Sequence, residues 1–119
     1  MNRSRILALT LLASCGGNGN GRSQNLIFMP GAVGATTLSW IIPTEREDDS
    51  PLTNLAGFNV YVGIASGLYS ETIRIENPSI NVYVVERLDS GTIYYFAVTA
   101  FDSDDLESDF SNEVSKAIE

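Results

Sequence analysis

In separate segments between Thr36 and Ala100 apolar side chains recur at every second residue, and this period limits what the chain can build. Side chains of a strand point alternately to its two faces, so a period of two marks a strand with one buried face. Leu38, Trp40 and Ile42 share one face of residues 36–42. Phe58, Val60 and Val62 share one face of the next segment, and Tyr94, Phe96, Val98 and Ala100 share one of a third. Tyr83-Val84-Val85 leads into Leu88. These runs are rich in β-branched and aromatic residues and are separated by Gly, Pro, Asn, Asp and Ser. Residues 69–75 and 112–118 are weaker strand candidates, and Leu26–Met29, closed by Pro30-Gly31, supplies a first strand. No helical stripe appears after residue 26. The expectation is an all-β fold, a seven-stranded antiparallel β-sandwich without a helix layer.

Composition narrows the function. The chain has 119 residues, room for one domain, with 15 acidic and 7 basic side chains and a net charge of −8. Such a polyanion does not bind nucleic acid by neutralising phosphates. There is no His, the commonest general base and metal ligand, and the one Cys permits neither an internal disulfide nor a Cys-cluster zinc site. No Gly-rich phosphate loop or nucleophile elbow is present, and the acids show no cleft of the kind a glycosidase needs. The expectation is a non-enzyme with no cofactor and no metal.

The N-terminus reads as an address. Arg3 and Arg5 precede the apolar run Ile6–Ala13, which ends in Ser14-Cys15-Gly16-Gly17. A basic start, a short apolar core and small residues at the junction describe a secretory signal. Eight residues at 1.5 Å each reach only about 12 Å, far short of the roughly 30 Å of bilayer hydrocarbon. Leu12-Ala13-Ser14-Cys15 resembles the lipobox of bacterial lipoproteins. That resemblance implies cleavage before Cys15, acylation of its thiol and amine, and anchorage in membrane lipid; two or three chains anchor stably where one does not. Gly16 rather than Asp after the Cys points, in the same resemblance, to the outer membrane or cell surface of the envelope. Loss of residues 1–14 removes Arg3 and Arg5, leaving five bases against 15 acids, a net −10. The expected organisation is a signal peptide over 1–14, an acylated Cys with a Gly/Asn-rich tether over 15–25, and a folded domain over 26–119. The glycines of residues 16–24 make a flexible coil about 16 Å from end to end.

The strand motifs carry a second resemblance. Leu38-Ser39-Trp40 with Pro43, Gly57-Phe58-Asn59-Val60-Tyr61, Leu88-Asp89-Ser90-Gly91-Thr92-Ile93-Tyr94, the following run to Ala100, and Ser111-Asn112-Glu113-Val114 occur in one order. Together they resemble the second, third, sixth and seventh strands of fibronectin type III domains over residues 27–118. Ser90 departs from the pattern, standing where many members have Pro. The resemblance implies that Trp40 fills the centre of the core, that Leu88 packs under the turn, and that the Tyr94 hydroxyl bonds nearby backbone as a tyrosine corner.

Two constellations remain. Glu45-Arg46-Glu47-Asp48-Asp49 and the run from Asp102 to Asp109 are acidic loops that share one pole of that fold. Clustered carboxylates suit a hard cation. Yet Leu106 breaks the alternation of Asp102 and Asp104, and Glu107 stands where an EF-hand needs Gly, so the expectation is a solvated acidic pair. Tyr61 and Tyr95 point outward from neighbouring strands, as an ordinary cross-strand pair or as a platform for sugar rings. The expected function is a lipid-anchored binding or adhesion module of a bacterial envelope, with an unidentified protein or polysaccharide partner. The alternatives are a structural accessory lipoprotein and a carbohydrate-binding module using Tyr61 and Tyr95.

Overall fold

The computed structural model of the chain describes residues 5–15 and 33–118. Within them are two antiparallel sheets and no helix. The first sheet orders β1 (Leu11–Cys15), β2 (Val33–Trp40) and β5 (Val82–Asp89) as β1-β2-β5. The second contains β3 (Leu55–Gly63), β4 (Glu71–Ile75), β6 (Ile93–Asp102) and β7 (Val114–Ala117), in the order β4-β3-β6-β7. The two sheets form a β-sandwich.

The core is the set that the period of two selects. Leu38, Trp40, Val85 and Leu88 of one sheet face Phe58, Val60, Val62, Phe96, Val98 and Ala100 of the other. The Trp40 ring lies 5.2 Å from that of Phe58, between the sheets. Its indole N–H donates to the Ile80 carbonyl at 3.1 Å, so the large apolar ring is buried without orphaning its one donor.

β5 breaks the alternation for a local reason. Val85 and Leu88 are both buried although three residues apart. Val85 pairs with Thr36 and Leu88 with Gly34, so β5 spends one residue more than β2 over this interval, which is a bulge. The extra residue is accommodated at Arg87, whose φ is 63°. Leu88 is thereby turned inward, ahead of a turn in which Gly91 takes a φ of 87° and Thr92 N–H donates to Asp89 O. The Tyr94 hydroxyl accepts from Asp89 N–H at 2.9 Å, across the base of that turn.

The largest departure from the sequence reading lies at the N-terminus. Residues 5–15 do not stand apart from the domain: Ile6, Leu9 and Leu11 are in the core. β1 pairs along β2 from Leu11 opposite Trp40 to Cys15 opposite Thr36. The Asn112 amide pairs with both polar groups of Leu11, its Oδ1 accepting from the N–H at 2.8 Å and its Nδ2 donating to the carbonyl at 3.0 Å. Upstream, Leu7 N–H donates to Glu45 O and Glu47 N–H to Arg5 O. The reason is geometric. An apolar run reads equally as a signal core or, through Leu9, Leu11 and Ala13, as one buried face of a strand. β2 would otherwise present an unpaired edge, and an edge accepts any strand with a suitable face. Among the described residues, 5–15 thus pack with the sandwich. The expected strand Leu26–Met29 and the tether over 16–24 fall outside the described residues. Among the described residues no helix is long and apolar enough to cross a membrane.

Truncation of Trp40 to Ala should cost about 3–5 kcal/mol, the range for large aromatics in well-packed cores. Urea unfolding followed by circular dichroism measures it; a loss below about 1 kcal/mol would show that Trp40 is not the centre of the core.

Candidate binding surface

The two acidic loops meet through a buried base. Arg46 Nη2 donates to Asp102 Oδ2 at 3.0 Å, with side chains 10% and 0% exposed. The same nitrogen donates to Asn54 Oδ1 at 2.7 Å. Asp102 Oδ1 accepts from the N–H groups of Asp104 and Leu106, each at 2.9 Å. Burial alone would raise the pKa of this carboxyl; the Leu106 N–H, the Arg46 guanidinium and the Asp104 N–H outweigh it and hold the group below its ordinary value. The expectation of a purely solvated acidic pair is thus corrected at this point, since one acid of the second loop is an internal partner of the first. Asp105, at φ 64°, closes the turn by donating its N–H to Asp102 O.

That turn delivers the chain to the edge of β6 along which β7 also pairs. Residues 106–112 then run alongside β6, held by two buried serines. Ser108 N–H donates to Ala100 O at 2.8 Å, and Ser108 Oγ accepts from Ala100 N–H at 3.0 Å. Ser111 repeats the pattern with Val98, at 2.9 Å in both directions. The hydroxyls thus stand in for backbone carbonyls, and an irregular segment covers β6 without a strand.

Glu107 sits where this segment crosses the face. Asn59 Nδ2, the Tyr61 hydroxyl and the Thr99 hydroxyl all donate to its Oε2. Oε1 receives none of these three. Burial raises the pKa of this carboxyl, but the bonds from Thr99, Tyr61 and Asn59, with the charge of Arg74, prevail and hold it below its ordinary value. Burial and the Glu107 carboxylate in turn raise the pKa of Tyr61.

Three rings gather beside this carboxylate. Tyr61 meets Phe110 edge-on at 4.9 Å and 80°, and Tyr69 at 6.0 Å and 52°. Tyr69 and Phe110 are 5.6 Å apart at 49°. Phe110 is 52% exposed. Two devices bring Tyr69 here. Gly63 lets the β3–β4 turn fold close against the strand: a Cβ there would lie 2.2 Å from Leu68 O. Glu113 then ties the turn down, accepting from Ser66 Oγ at 2.6 Å, Gly67 N–H at 2.9 Å and the Tyr69 hydroxyl at 2.5 Å. Tyr69 is raised to about 12, first by burial and then by the hydrogen bond and charge of Glu113.

The residues singled out from sequence fall in different places. Trp40 and Leu88 are core, and Tyr94 closes a turn. Tyr61 and Tyr95 do share the outer face, Tyr61 opposite Ala97 and Tyr95 opposite Gly63. The ring partners of Tyr61, however, are Tyr69 and Phe110. Cys15 ends β1, opposite Thr36. Phe110 was not reachable from strand periodicity, because it lies outside the strands; Tyr69, which heads the strand candidate over 69–75, lies in the turn before β4. Among the described residues no group of three or more His, Cys, Asp or Glu could hold a metal ion.

Comparison with known proteins bears on the fold alone. No protein-family model matches the chain, and no curated protein does. Solved structures do. A β-1,2-glucanase from Parabacteroides distasonis aligns over 97% of this chain at TM-score 0.65 and 19% identity. The chain spans 13% of that glucanase. A myokine aligns over 98% of both chains at TM-score 0.56 and 15% identity. The third fibronectin III domain of a human protein, KIAA0343, aligns over 88% of this chain and 93% of its own length, at TM-score 0.51 and 12% identity. The fold is therefore a fibronectin III-like β-sandwich.

Two outcomes are expected. Glu107→Ala removes the acceptor for three donors and should cost about 1–3 kcal/mol, read by denaturant unfolding. The carboxyls of Asp102, Glu107 and Glu113 all lie below their ordinary values when folded. Their contribution is therefore complete above the unfolded carboxyl range of about 4 and is lost as pH falls through the lower folded values. The melting temperature should drop below about pH 4, and Asp102→Asn should flatten that drop; an unchanged acid limb in the variant would refute the assignment.

Proposed function

We propose that this chain is a non-catalytic binding module of the fibronectin type III kind. Membrane lipid on Cys15 holds it at a bacterial envelope, and it presents the outer face of the β4-β3-β6-β7 sheet to a partner. The observation that carries the binding role is the position of Phe110: half-exposed, edge-on to Tyr61, on a face where ordinary strand residues would be polar. Aromatic residues collected on a surface rather than in the core mark contact sites. The lipobox-like Leu12-Ala13-Ser14-Cys15 supports the anchor, and the absence of His with the scattered acids supports a non-catalytic role.

The mutual tilt of the rings bears on the ligand. Interplanar angles of 52°, 80° and 49° make a corner, not a flat platform. A corner of Tyr61, Tyr69 and Phe110 suits a compact group better than a pyranose lying flat on these three rings.

The anchor is tested by intact mass of membrane-extracted protein, wild type beside Cys15→Ala. The expected result is a mass equal to residues 15–119 plus acyl chains, lost in the variant. A soluble, unacylated product from the wild type would remove the anchor from the proposal.

A further inference from the structure

The outer face contains a cleft of about 200 Å³ whose lining includes Tyr61, Thr99, Glu107, Asp109 and Phe110, and the chain places a cation of its own there. Arg5 also lines this cleft. Its Nη2 lies 2.6 Å from Asp109 Oδ1, with side chains 47% and 63% exposed. An exposed pair of this kind contributes little alone. The setting is what distinguishes it. Two carboxylates of one cleft, Glu107 and Asp109, stand with two aromatic rings, and the cation enters from a segment far away in sequence. The Glu107 oxygens are unequally used, with three donors converging on Oε2. Arg74, the base whose charge also reaches Glu107, is engaged elsewhere, with Glu76, Asp105 and the face of Phe101.

We propose that this cleft is a receptor for a guanidinium group of a basic protein segment, and that Arg5 is its occupant in cis. Aromatic faces attract cations through the ring quadrupole, and carboxylates pair with guanidinium through directed, charge-assisted hydrogen bonds. Arg fits both demands better than Lys, because its planar group stacks on a ring while its edge reaches acids. Charge complementarity continues beyond the cleft, since the whole chain is at −8. The inference deepens the binding module proposed above, and its biological setting rests on that reading. Cleavage before Cys15 would remove Arg5 and Arg3 together with Ile6, Leu9 and Leu11 of the core, taking the chain to −10.

The receptor can be tested on the full chain, independently of cleavage. Arg5→Ala empties the cleft while leaving Ile6, Leu9 and Leu11 in the core; Arg5→Gln serves in its place if the alanine variant is not folded. The probe is a short synthetic peptide of the sequence Asn-Arg-Ser-Arg-Ile, beside an analogue with both Arg replaced by Gln. Binding is read by calorimetry and by amide shifts at Asp109 and Phe110. The expected result is that the Arg5 variant binds the Arg peptide at least about tenfold tighter than the wild type, which must first displace its own side chain. The Gln peptide should fail to bind. Phe110→Ala or Asp109→Asn, each added to the Arg5 variant, should weaken binding by about tenfold. Equal affinity for the Gln peptide, or binding unaffected by both cleft substitutions, would overturn the proposal. Retention of a neutral polysaccharide, with no response to Arg peptide, would overturn it in favour of a sugar site. The mass measurement above separates this failure from failure of the anchor, because neither result depends on the other.

Discussion

The pair of Arg46 and Asp102 is the contact on which the outer face depends. A buried ion pair is not a source of stability in itself, since desolvation of both charges offsets much of their attraction. Its role here is positional. Arg46 comes from the loop after β2, and Asp102 ends β6, so the pair ties the two sheets at one pole. Asp102 also receives the N–H groups of Asp104 and Leu106, which fixes the turn that delivers Glu107 to the sheet face. The loop carrying Arg46 hydrogen-bonds the backbone of residues 5–7 as well, so the same pole positions Arg5 over the cleft.

From this pole the outer face is built by substitutions for regular structure. Ser108 and Ser111 replace strand carbonyls with hydroxyls, so residues 106–112 follow β6 without completing a ladder. Their irregular backbone lets Phe110 lean over the sheet toward Tyr61. On the opposite side Gly63 admits a folded-back turn and Glu113 fastens it, bringing Tyr69 to the same place. An aromatic corner beside a carboxylate results, from residues of β3, the β3–β4 turn and the β6–β7 connection. A larger cleft of about 630 Å³ runs past the edges of β4 and β5, but its charged members Glu71, Glu86 and Arg87 are all exposed. It has no comparable convergence of groups.

The N-terminal segment shows how one sequence can satisfy two physical demands. A short apolar run preceded by arginines meets the requirements of a secretory signal. The same run offers Leu9, Leu11 and Ala13 at alternate positions, and the outer edge of β2 takes them up. Asn112, read as part of a strand approach, is what anchors that edge, since its side-chain amide presents the same donor and acceptor as a backbone.

How much of this was legible follows from the range of each interaction. Strand identity was, because the period of two in residues 36–100 is a local property, and it selected Leu38, Trp40, Phe58, Val60, Phe96 and Val98 for the core. The bulge at Arg87 was not, since nothing about an Arg announces a positive φ, and only the pairing of Leu88 with Gly34 requires it. Of the outer face, Tyr61 was legible because strand alternation sends it outward. Phe110 and Glu107 were not, because loops carry no period and their positions are set by hydrogen bonds to residues 8 to 48 positions away. Sequence by itself determined the fold class and the part of the core that the strands between Thr36 and Ala100 supply. Only the tertiary structure decided which acid is buried, which rings meet, and that Arg5 lines the same cleft, because each depends on contacts between segments far apart in sequence.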